Sequence, residues 1–168
     1  SQAPMLPDLV RKALAVAQSD WLVLINSDIV VVPEFSEQID HVLESIDLTK
    51  TPHPFITVRR RDFGLKKLID SESAIRSLIG EAVLHRVTGS DNFMAPRSLW
   101  LKLLDEMPPL IYGRFAWDVW LHHKALEHAE PAIDASETIY CFHPYHGSLV
   151  DRDNPEVFHN LMWYECVC

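Results

Sequence analysis

The stretch "SDWLVLINSDIVVVPEF", residues 19–35, decides the fold. An apolar run reaches Asn26-Ser27-Asp28, turns apolar again and is cut by Pro33. A carboxylate buried in such a run without a partner costs several kcal/mol. Either the run is two strands joined by a turn, or Asp28 is held at a sheet's edge to do something. "WLVLI" (21–25) has the length and unbroken apolarity of a strand covered on both faces. Before it, Pro7-Asp8 opens a helix on which Val10, Ala13, Leu14 and Ala17 recur at helical spacing. After it, Pro33 opens a second helix with Phe35, Ile39, Val42, Leu43 and Ile46 on one face. Helix, buried strand, helix is the rhythm of an α/β layer, in which ligands gather beyond the carboxyl ends of the strands. Asp28 stands at such an end.

The same reading continues along the chain. Residues 54–63 form a strand leaving into charge, and residues 65–80 a helix broken near Asp70-Ser71 with Gly80 as its stop. A short strand at "AVLHRV" (82–87) leads into the turn-rich "TGSDNFMAPRSLW" (88–100), then short helix and loop from Pro96 to Pro109. Residues 113–129 make a helix that buries Trp117, Trp120, Leu121 and Ala125; a strand from Ile139 to Phe142 ends in two histidines, and 154–164 closes with a short helix. No repeat or linker divides the chain, so 1–168 reads as one α/β domain.

Composition narrows the function classes. With 48% hydrophobic residues and a formal charge of −9, the chain is globular and lacks the basic face of a broad nucleic-acid footprint. Arg59-Arg60-Arg61 is the one candidate for a local basic patch. Three cysteines, Cys141, Cys166 and Cys168, make no disulfide framework and no four-ligand zinc site; they fit a reducing, cytoplasmic setting. No apolar run approaches ~20 residues, so no membrane span is expected, and "SQAPMLPDLV" has no signal-peptide pattern.

Three polar clusters fall at element ends: Asn26-Ser27-Asp28, Trp117-Asp118, and His143 with His146. A carboxylate and imidazoles at converging strand exits can hold one divalent ion, Mn²⁺ more comfortably than Mg²⁺, leaving positions for a diphosphate. Asp118, in the first turn of its helix, is expected to stay ionised beside the positive end of the helix dipole, and an ionised carboxylate can take a proton from a hydroxyl nucleophile. Each cluster has a plainer reading: Asp28 as a turn residue, Asp118 as a helix cap, H-x-x-H as surface histidines.

The order of four motifs carries more than any one of them. "LINSDIVVVPEF", "VTGSDNFMAPRSLW", "PPLIYGRFAWDVWL" and "AIDASETIYCFHPYHG" together resemble the GT-A-type glycosyltransferases that use nucleotide-diphospho-sugars, from about Trp21 to His146. The resemblance implies a Rossmann-like mixed sheet flanked by helices and metal-dependent sugar transfer to an acceptor hydroxyl with inversion. It implies Mn²⁺ (or Mg²⁺) at a DxD-type site, here Asn26-Ser27-Asp28 with the first Asp replaced. On this pattern Asp28, His143 and His146 hold metal, Asn26, Ser27 and Arg114 face donor diphosphate or ribose, Asp118 is the base, and Gly89, Ser90, Asp91 and Trp117 line the acceptor side. The strands that grip the nucleotide base in such enzymes precede the first motif and have no counterpart in residues 1–20, so a further segment or a partner is expected to supply them. A non-catalytic binding module and a metal-dependent hydrolase of nucleotide sugars or phosphoesters are the alternatives.

Overall fold

Residues 19–35 divide between two sheets. In this computed structural model, which describes residues 3–64, 69–86, 90–146 and 154–164, helix α1 (Leu6–Val16) precedes strand β1 (Trp21–Ile25). A turn at 26–29 separates β1 from a two-residue strand β2 (Val30–Val31), and α2 (Phe35–Glu44) follows. Asp28 thus lies in the turn between two strands, where its carboxylate is open to solvent on one side.

The remaining elements are β3 (Phe55–Arg59), β4 (Arg61–Gly64), α3 (Glu72–Glu81), β5 (Val83–Leu84), β6 (Ser90–Pro96), α4 (Arg97–Glu106), α5 (Trp117–His128), β7 (Ala132–Asp134), β8 (Cys141–Tyr145) and α6 (Pro155–Tyr164). One sheet runs β1-β6-β3-β7, with β3 and β7 parallel and the other pairs antiparallel. The second runs β2-β8-β4-β5, with β8 and β4 parallel. The fold is mixed α/β, two mixed sheets flanked by helices, and no helix among the described residues is long and apolar enough to cross a membrane.

Alternation along the central strands explains the layers. On β3 and β6, Phe55, Phe93 and Ala95 face α1, α4 and α5, meeting Leu6, Val10, Leu14, Trp100, Leu103, Trp120 and Leu121. Their neighbours Ile56, Val58 and Met94 face the other way, onto Val42 of α2. The smaller sheet packs Phe63 and Phe142 on Leu78 of α3, whose start is capped by Ser71 accepting the Ala74 N–H at 3.3 Å.

Two expectations change. β1 is an edge strand and not one covered on both faces: it pairs only with β6 among the described residues, and Val23 is 40% exposed. Its other side opens on an apolar groove lined by Leu9, Val10, Ala13 and Trp100. The strands buried on both faces are β3 and β6. The strand expected over 54–63 is broken at Arg60, so that Phe55–Arg59 and Arg61–Gly64 serve different sheets. That break carries the arginines inward. Arg59 pairs with Asp134 at 3.0 Å, Arg60 with Asp62 at 3.1 Å and Asp91 at 2.9 Å, and Arg61 donates to the Ser136 carbonyl at 3.1 Å. Arg59 and Arg60 thus meet carboxylates within the fold, and Arg61 lies 3.4 Å from Glu137.

Candidate functional site

Strand register builds the site. β2 runs antiparallel to β8, with Val30 opposite Phe142. Continuing that register two residues back brings Asp28 level with residue 144, between His143 and His146. Asp28 Oδ2 lies 3.4 Å from His143 Nε2 and 3.6 Å from His146 Nε2, and the two Nε2 atoms are 3.0 Å apart. Ligands at ~2.1 Å from a divalent ion stand about 3.0 Å apart at right angles and about 3.4 Å apart in a tetrahedron. The three donors therefore fit a cation, and their two nitrogens suit Mn²⁺ better than Mg²⁺. His143 is buried while Asp28 and His146 are exposed, so the group opens to solvent on one side.

A buried polar network supports this group. β4 runs parallel to β8 with Asp62 opposite His143, and Asp62 Oδ1 lies 3.0 Å from His143 Nδ1. The other carboxylate oxygen lies 2.6 Å from His85 Nδ1, and Arg60 bridges Asp62 to Asp91. Burial pushes the Asp62 carboxyl up, but the bonds to His85 and His143 and the charge of Arg60 outweigh it and hold the group below the usual aspartate value. Asp91, in turn, accepts from Asn26 Nδ2 at 2.6 Å, and Asn26 Oδ1 accepts from the Tyr112 hydroxyl at 3.0 Å. Sequence reasoning gave Asp62, Arg60, His85 and Tyr112 no part in the site. The run "RRRDF" does not show the first two as site residues, because the pairing depends on a parallel neighbour 81 residues away.

On the other side of Asp28 a polar cavity of about 370 Å³ opens, lined by Asn26, Ser27, Asp28, Asp91, Tyr112, Gly113, Arg114, Phe115, Trp117 and Asp118. Two left-handed residues, Gly113 (φ 75°) and Ala116 (φ 76°), bend the loop so that α5 begins at the cavity wall. The first is a glycine, which takes that conformation freely; the second, a buried alanine, takes it at a cost of about 1–2 kcal/mol. Asp118 follows in the first turn and accepts its own backbone N–H and that of Val119. The expected pull of the helix dipole toward the ionised form of Asp118 is opposed here by burial. Burial pushes its pKa up to about 6; the two N–H groups pull it down, Asp91 pushes it further up and Arg60 lowers it. Removal from water outweighs the helix terminus.

The structure brings Asn26, Ser27, Asp28, Asp91, Arg114, Trp117 and Asp118 to one cavity. Arg114 is steadied by Glu156 of α6 at 2.5 Å. Trp117 is 4% exposed and packs on Phe93 and Tyr112, with ring centroids 5.7 Å and 4.8 Å away, so it forms a wall. Ser90 is buried within β6, and Gly89 lies outside the described residues. Burial and the charges of Asp28 and Asp91 push the Tyr112 hydroxyl up to about 12, so it remains a donor at neutral pH.

Comparison with protein-family models, with curated proteins and with solved structures finds no match to the chain.

Proposed function

We propose that the chain is the metal- and acceptor-bearing part of a glycosyltransferase that moves a sugar from a nucleotide-diphospho-sugar to an acceptor hydroxyl with inversion. One observation carries this reading: a single cavity has Asp28, a member of the Asp-His-His group, on one wall and the proton-hungry Asp118 on another. Asp28, His143 and His146 would hold a divalent cation, whose chemistry is to offset negative charge on a departing diphosphate. Arg114 adds a fixed positive charge to the same cavity. Asp118, with a pKa near 6, is largely ionised at pH 7 yet basic enough to accept the proton of an attacking hydroxyl. The bond from the acceptor oxygen to the anomeric carbon forms as the bond to the diphosphate oxygen breaks, and the acceptor's proton passes to the Asp118 carboxylate.

The test is calorimetric titration of nucleoside diphosphates with Mn²⁺ and with EDTA, followed by product analysis with the matching donor. Metal-dependent binding and an acceptor-dependent glycoside support transfer. Free sugar formed without acceptor identifies a hydrolase, and a folded chain that binds neither Mn²⁺ nor nucleotide refutes the reading.

A further inference from the structure

We propose that Asp62 is the positioning residue of the Asp28–His143–His146 group, fixing the tautomer and the aim of His143; the inference rests on the metal reading above. An ionised carboxylate can only accept hydrogen bonds, so the His143 nitrogen facing it, Nδ1 at 3.0 Å, must carry the ring proton. In the neutral ring the opposite nitrogen, Nε2, is then left with a lone pair, and it is the atom that faces Asp28 and His146. An imidazole oriented through its second nitrogen by a carboxylate is a better and better-aimed metal ligand.

Asp62 is itself held. Its side chain is 17% exposed, lies in strand register with His143, and receives Arg60 Nε at 3.1 Å and His85 Nδ1 at 2.6 Å. Arg60 also spans to Asp91, which holds Asn26 at the exit of β1. The chain of bonds from Asp62 through Arg60 and Asp91 to Asn26 therefore ties the strand that presents His143 to the turn that presents Asp28. Asp62 touches neither cavity nor donor atoms; it acts through His143.

The experiment has two readouts. In the metal-free chain at pH 8, long-range ¹H–¹⁵N correlation of the imidazoles reports the His143 tautomer, assigned by the resonance lost in His143→Asn. Calorimetry then measures Mn²⁺ binding to wild type, Asp62→Asn and Asp62→Ala, with far-UV circular dichroism as the check on folding. The expected results are the Nδ1–H tautomer and a Mn²⁺ affinity that falls about 10–100-fold in Asp62→Ala, with a smaller loss in Asp62→Asn, which keeps an oxygen for the ring N–H. An Nε2–H tautomer in wild type overturns the inference whether or not the variants fold, as does folded Asp62→Ala that binds Mn²⁺ within threefold of wild type. Wild type that binds no Mn²⁺ removes the metal reading and this inference together, so the two failures are distinguishable.

Discussion

Replacing Asp118 by asparagine should make the protein more stable at pH 8, and the reason is visible in its surroundings. An aspartate in the unfolded chain titrates near 3.8, whereas in the fold burial raises Asp118 to about 6. The folded state therefore holds the proton more tightly than the unfolded state. Its contribution to stability is fully present below about 3.8 and is lost as the pH rises through about 6. At 1.36 kcal/mol per pKa unit, the ionised form costs about 3 kcal/mol of folding free energy above pH 7. The amide introduced by Asp118→Asn carries no charge and keeps the shape, but weakens the bonds to two backbone N–H groups, a loss of about 1–2 kcal/mol. The net expectation is a gain of about 1–2 kcal/mol at pH 8 and a loss of about 1 kcal/mol at pH 4. Urea unfolding of both proteins at the two pH values measures this, since every other titrating group cancels in the difference. An unchanged m-value would show that the shift in midpoint is a shift in stability. A variant less stable than wild type at pH 8, or one whose difference ignores pH, would refute the argument and return Asp118 to the role of a helix-start ligand.

Other outcomes are open to measurement. The same Asp118→Asn variant should keep donor binding and lose transfer by roughly 10²–10⁴-fold, read as kcat at saturating donor. Asp28→Ala and His143→Ala should each weaken Mn²⁺-dependent nucleotide binding in calorimetry while leaving metal-free binding alone; if neither does, the assignment of the metal ligands is wrong. Arg60→Met removes the cation shared by Asp62 and Asp91 and should destabilise by about 3 kcal/mol in urea at pH 7, with a smaller loss at acid pH once Asp62, held below its ordinary value, takes up its proton. Phe93→Ala, which empties a position stacked on Phe55 and met edge-on by Trp117, should cost about 3–5 kcal/mol wherever it is measured.

The sequence made the helices and the strand exits legible because both are local. Apolar spacing located α1, α2 and α5, and prolines marked where α2 begins and α4 has ended. The polar triplet after "WLVLI" was readable as a strand exit because a charge interrupting an apolar run has few other homes. The sheet order was not legible. "WLVLI" and "FITVR" look alike as apolar runs, yet the first lies at an edge and the second is buried on both faces. Only long-range pairing distinguishes them.

The same limit explains which site residues were found. Asp28, His143, His146 and Asp118 stand in motifs where polar residues meet strand or helix ends, so their chemistry shows in a short window. Asp62 ends a charged tetrapeptide, Arg59 to Asp62, where the ordinary expectation is a solvated face. Its role exists only because β4 breaks from β3 at Arg60 and pairs parallel to β8. One break in a strand thus moves Arg60 and Asp62 from surface to interior and supplies the connection between the turn after β1 and the histidines of β8. That connection matters because the three side chains of the Asp28–His143–His146 group come from two segments more than 100 residues apart. Asp28 arrives on a turn with few contacts of its own; its distance to His143 Nε2, 3.4 Å, is kept by the strand register of β2 and by the Asn26–Asp91–Arg60–Asp62 chain. Loosening a member of that chain should spread the three donor atoms and weaken Mn²⁺ binding.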